Sequence, residues 1–124
     1  MIRAAHEQCI ALENETASLL RAGAVPAEIY EKILSLVDPA FREGFMNGCK
    51  FLGHSIGLTM DETPVLAKGF SAPLESGMTL AVEPKIAIPG VGLIGCENTY
   101  EITADGPAQS LTGACDTLFE VLNQ

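Results

Sequence analysis

Residues 79–101 read TLAVEPKIAIPGVGLIGCENTYE, and the arithmetic of this stretch decides the fold. Two apolar, β-leaning runs flank Pro89-Gly90-Val91-Gly92, the turn chemistry of a β-hairpin. Folding the segment about Gly90 sets Ile86 against Ile94 and Glu83 against Glu97, each glutamate seven residues from Gly90. Two carboxylates facing one another repel. A positive partner is therefore expected between them: an arginine, a lysine or a metal ion. A bulge at Pro84 or at the glycines would shift the pairing by one residue.

The rest of the chain has to cover this hairpin. It has 124 residues, 48% hydrophobic and 19% charged, which fits one globular unit with a modest core. A net charge of −9 argues against nucleic acid or an anionic membrane surface as partner. No apolar run approaches the roughly 20 residues of a membrane span, and no signal peptide is visible at Met1-Ile2-Arg3-Ala4. Cys9, Cys49, Cys96 and Cys115 are widely spaced without a C-x-x-C pair, the pattern of reduced thiols in a cytoplasmic protein.

Before the hairpin, Ile2, Ala5, Cys9, Leu12, Thr16, Leu19 and Leu20 recur at helical steps, predicting a helix over 2–22 with Gly23 at its C-terminal cap. His6 on that helix reads as a surface or capping residue. Pro26 suits the first turn of a second helix with Ile29, Ile33, Leu36 and Val37 on one face, ended by Asp38-Pro39. From Phe45 glycines punctuate short apolar segments. Residues 51–58 read as a strand, 61–73 as a long loop, 74–77 as a turn, and 109–112 as a short returning strand. Residues 116–122 read equally as strand or helix. No internal repeat or low-complexity linker divides the chain, so residues 1–124 form a single domain or part of one.

His54 sits between glycine and small residues, where a ligand can approach the backbone. With Glu83 and Glu97 it makes one imidazole and two carboxylates, a set suited to Mn, Co, Fe or Zn. The bland reading keeps His54 as polar filling and pairs Glu97 with Lys85. A nucleotide-binding glycine loop, a Walker-type lysine and a serine-nucleophile elbow are all missing from the sequence. A Cys49 or Cys96 nucleophile beside His54 has nothing visible to lower its thiol pKa.

Gly53-His54-Ser55-Ile56-Gly57-Leu58 with Asp61-Glu62-Thr63-Pro64, then Gly77-Met78 through Glu83-Pro84, then Glu97-Asn98-Thr99, resemble in order and spacing three motifs of the pita-bread metallopeptidases. These include Xaa-Pro dipeptidase, aminopeptidase P, methionine aminopeptidase and creatinase. The resemblance covers essentially the whole chain and is strongest to the Xaa-Pro dipeptidase and aminopeptidase P branch. It implies an α+β fold: the C-terminal half of a pita-bread domain, two helices packed on a mainly antiparallel curved sheet. It implies His54, Glu83 and Glu97 as metal ligands, with Glu97 bridging two divalent ions (Mn, Co or Zn), a water or hydroxide between them as nucleophile, and Glu83 as proton shuttle. The catalytic residues implied are Glu83 and His54.

Three departures from the family pattern shape the expectation. Two aspartate ligands expected upstream are missing, since Asp38 is the only aspartate before His54. The chain is thus expected to need an N-terminal half, to hold one ion or none alone, to be inactive alone, and to self-associate through its uncovered edge. The family's second histidine is Asp61 here, which would face the substrate, and the arginine two residues before Glu97 is Gly95. Three functions remain open: a peptidase acting on Xaa-Pro peptides, a metal-free peptide- or protein-binding module, and a creatinase-like hydrolase of small molecules.

Overall fold

The computed structural model describes residues 1–59, 62–113, 117, 118 and 121. Helix α1 spans Ile2–Leu19 and α2 spans Pro26–Leu36. Short 3-10 turns at Pro39–Phe41 and Met46–Gly48 lead into the strands. These are β1 Phe51–Ser55, β2 Glu62–Ala67, β3 Thr79–Val82, β4 Lys85–Ile88, β5 Gly92–Gly95, β6 Asn98–Glu101 and β7 Gln109–Ser110. Five of them form an antiparallel sheet in the order β2-β1-β3-β6-β7, and β4-β5 form a second ladder.

The hairpin keeps the register expected of it. Ile86 faces Ile94 and Val82 faces Asn98, so every pair in β3–β6 and β4–β5 is symmetric about Gly90. The two ladders are separated at Glu83-Pro84 and Cys96-Glu97. Proline has no N–H to give a ladder, and the Glu83 N–H donates instead to the Leu52 carbonyl at 3.0 Å. The ladder breaks without slipping, and both glutamates sit in the break. Beyond it, β4 is steadied from its other side by Phe45, which bridges Ile86, and by the Gly44 carbonyl, which accepts from the Ala87 N–H at 2.8 Å.

Three expectations need correction. Helix α1 stops at Leu19, because the next residue, Leu20, adopts an extended backbone and is fully buried. Gly23, with φ of 90°, serves the following turn, where its N–H donates to the Leu74 carbonyl. Leu36 is exposed, since the buried stripe of α2 runs through Pro26, Ile29, Tyr30 and Ile33 to Val37 and leaves Leu36 at its margin. Residues 62–67, expected as loop, form the edge strand β2. Thr63-Pro64 hides its alternation, and an edge is where a sheet tolerates proline. Most of residues 116–122 lie outside the described residues, and so does Cys115.

Both helices pack against one face of the sheets. Cys9, Leu12, Ile29 and Ile33 meet Leu52, Leu66, Leu80, Val82, Ile86 and Ile102 in one core. Among the described residues Cys9, Cys49 and Cys96 form no disulfide. Burial, helped by the Glu13 charge, pushes the Cys9 thiol up to about 11, so it stays protonated and unreactive at neutral pH. Among the described residues no helix is long and apolar enough to cross a membrane.

One carboxyl lies inside this core. Glu13 is 1% exposed; the Tyr100 hydroxyl donates to its Oε1 at 3.1 Å, while Oε2 has no hydrogen-bond partner among the described residues. The bond ties α1 to β6. Tyr100→Phe deprives Glu13 of this donor, and a buried polar group so stranded costs about 1–3 kcal/mol. Urea unfolding should show a loss of about 2 kcal/mol; an unchanged midpoint would mean the pair contributes nothing to stability.

Candidate metal centre

β1 carries His54 between β2 and β3, with Cα partners Val65 and Ala81. The preceding residue is glycine for a steric reason. A Cβ at Gly53 would lie 2.3 Å from the Ala81 carbonyl oxygen, so a side chain there would push β1 from β3. The imidazole is buried and stands edge-on to Phe51, ring centroids 6.5 Å apart at 67°.

The tautomer of His54 follows from its neighbours. Nδ1 lies 3.0 Å from the Ser55 carbonyl oxygen, which can only accept, so Nδ1 carries a hydrogen and donates. In the neutral ring Nε2 is then a lone pair, and it points at Glu83 Oε2, 3.6 Å away. A nitrogen and a carboxylate oxygen are thus set side by side, as two ligands of one cation are. A histidine oriented through its other nitrogen by a backbone carbonyl is also the usual arrangement of a metal ligand.

Glu83 and Glu97 enter from the two halves of the hairpin break. One donor atom each from His54, Glu83 and Glu97 lies within 4.8 Å of the others. Burial raises the Glu97 carboxyl above its ordinary range. The charge of Glu83 and a hydrogen bond with Glu83 add to the rise, and Lys85 and His54 work against it. A second carboxylate close by disfavours ionisation in this way. One nitrogen and two carboxylates fit a divalent first-row ion. The two glutamates open onto a cleft of about 290 Å³ lined also by Pro84, Lys85, Leu93, Gly95 and Cys96.

Lys85 is placed differently from the sequence expectation. Its Nζ lies 3.1 Å from Glu83 Oε1, so the ion pair is with Glu83 rather than Glu97. The i,i+2 spacing, which keeps alternate side chains on one face of extended chain, was the signal for it. Sequence reasoning also passed over the brace beside Glu97: Thr112 Oγ1 donates to Asn98 Oδ1 at 2.7 Å and accepts from the Thr99 N–H at 3.2 Å. Asp61, expected to face substrate, lies outside the described residues. Its neighbour Glu62 closes the preceding loop by accepting from the Thr59 N–H at 2.9 Å and from the Thr59 hydroxyl at 3.2 Å. Those bonds hold its carboxyl below the ordinary range, the backbone bond most of all. His6 sits on α1, in a different element from the three gathered residues.

Comparison with known proteins places the fold and the family. The chain is 37% identical over 71 residues to an Xaa-Pro dipeptidase of Lactobacillus delbrueckii subsp. lactis, a match covering 57% of this chain and 18% of the relative. Its fold superimposes on the X-Pro aminopeptidase of Thermotoga maritima with a TM-score of 0.86 at 21% identity, covering 97% of this chain and 33% of the other. Against the Xaa-Pro dipeptidase from Bacillus anthracis the TM-score is 0.82 at 27% identity, with 94% and 32% covered. The chain thus spans no more than about a third of these proteins and carries the C-terminal portion of their pita-bread architecture. The sequence profile of metallopeptidase family M24 matches residues 1–104, and the chain belongs to that family.

Proposed function

We propose that this chain is the C-terminal half of the catalytic domain of a metal-dependent peptidase that cleaves Xaa-Pro peptides at a dinuclear site. The observation that carries the reading is the convergence of His54, Glu83 and Glu97 within 4.8 Å, with the imidazole oriented by the contact of Nδ1 with the Ser55 carbonyl. The names of the relatives, Xaa-Pro dipeptidases among them, support the substrate class.

In this reading His54, Glu83 and Glu97 would hold the divalent ions together with two aspartates supplied by an upstream half. Mn, Co or Zn are the candidates. Divalent ions, when bound, acidify a water and polarise the scissile carbonyl. The chain's own residues do the rest. Ser55 orients the imidazole, the hairpin register keeps the two carboxylates opposed, and Glu83 carries a proton from the attacking water to the leaving amine. Asp61 is proposed as a substrate contact on its sequence position alone. The free thiols fit a cytoplasmic location. The uncovered sheet edge is the surface through which the 124-residue chain would pair with the upstream half or with a second copy.

The test is metal content after Mn²⁺ or Co²⁺ loading and gel filtration of the longest chain its gene encodes, followed by assay against Xaa-Pro dipeptides. About two ions per chain and metal-dependent cleavage are expected. The 124-residue chain alone should cleave nothing. No retained metal would leave a peptide-binding role for the cleft.

A further inference from the structure

Glu83 uses its two oxygens differently. Oε2 faces His54 Nε2 at 3.6 Å, while Oε1 is held by Lys85 Nζ at 3.1 Å. The Lys85 side chain is 32% exposed and that of Glu83 14%, so the pair is partly shielded from water. The same charge also acts on Glu97 across the hairpin break.

The opposite strand comes close to the backbone that carries this lysine. Gly95 is its Cα partner. A Cβ on Gly95 would lie 2.8 Å from Lys85 Cβ and 2.8 Å from the Pro84 carbonyl oxygen. A side chain at position 95 would therefore collide with the backbone and Cβ of Pro84-Lys85, and glycine lets the two strands approach closely beside the Lys85–Glu83 pair.

We propose that Lys85 is a resident counter-cation of the Glu83–Glu97 pair, a positioning residue that occupies Glu83 Oε1 when no metal is bound and sets how tightly the site takes a divalent ion. This inference rests on the metal-centre reading above. Its physical basis is charge. Two carboxylates present −2 to an incoming ion, and Lys85 reduces this to −1. The ammonium relieves carboxylate repulsion in the metal-free protein, and it opposes the ion in the loaded one. Removing it should thus act in opposite directions on stability and on metal affinity, which loss of a merely structural contact would not do.

The experiment compares the full chain with its Lys85→Met and Lys85→Arg variants. Methionine keeps most of the stem and removes the charge; arginine keeps the charge. Mn²⁺ dissociation constants are read from the free-ion electron paramagnetic resonance signal, and thermal midpoints are taken without metal. Lys85→Met is expected to bind Mn²⁺ about tenfold tighter and to unfold about 4 °C lower without metal, with Lys85→Arg close to the parent in both. Unchanged or weaker Mn²⁺ binding by Lys85→Met would overturn the inference and leave the metal centre standing. Absence of Mn²⁺ binding by all three proteins would overturn both.

Discussion

Glu97→Gln is expected to abolish divalent-metal binding and, at the same time, to make the metal-free chain more stable at neutral pH. The first effect follows from geometry. Glu97 is one of three donors that meet within 4.8 Å, and even the outer partners of metal ligands cost about 10–100-fold in affinity when lost. A loss of at least about 100-fold is expected. The second effect follows from the raised Glu97 carboxyl. Burial first, then the charge of Glu83, makes the folded chain hold this proton more tightly than the unfolded chain does. A pKa raised on folding contributes stability that is fully present below the ordinary value of 4.5 and is lost as pH rises through the folded value. The metal-free parent should therefore lose stability across that window, and glutamine should remove this part of the slope. Urea midpoints at several pH values, taken with a chelator, measure it. Identical pH profiles for parent and variant would show that the two carboxylates do not strain the fold.

Gly53→Ala should produce the largest loss of stability among small substitutions near the site. The added Cβ would lie 2.3 Å from the Ala81 carbonyl oxygen, a backbone atom in the middle of β3. Its other near neighbour, Leu66 Cδ1 at 3.3 Å, can turn aside. A side chain yields to such a clash, but a paired strand does not, so β1 must lift from β3 at a cost of about 3 kcal/mol. The next residue in β1 is His54, which is placed opposite Ala81 by that pairing. Mn²⁺ affinity should fall together with the urea midpoint. A stable variant that binds metal normally would mean that the spacing of β1 and β3 does not place the imidazole.

The hairpin was legible because three independent signals agreed on it: turn residues at Pro89-Gly90, the Ile86–Ile94 pair and two glutamates at equal distance. The convergence of Glu83 with Glu97 follows from that register, and His54 was found through its glycine neighbours. Other features depend on tertiary context. β2 shows no alternation because it is an edge strand with a proline, supported by its pairing with β1. Leu20 leaves the helix to fill the core, a choice that local propensity does not record. Lys85 faced two acidic candidates in the sequence, and the break at Pro84 is what brings it to Glu83.

The interruption of the hairpin bears on how such a centre tolerates change over evolution or in redesign. Between the tip and the two glutamates lies the four-pair ladder from Lys85–Gly95 to Ile88–Gly92. Residues 89–91 can be exchanged for a longer insert without disturbing the acids, because that ladder isolates them from the tip. Deleting one residue between Ile86 and Glu83 has the opposite outcome. The neighbour that slides into the glutamate's place points to the other side of the sheet, and the charge pair is dismantled although both glutamates remain in the sequence. Length variation at the tip is therefore cheap, and single-residue length variation in either arm is forbidden.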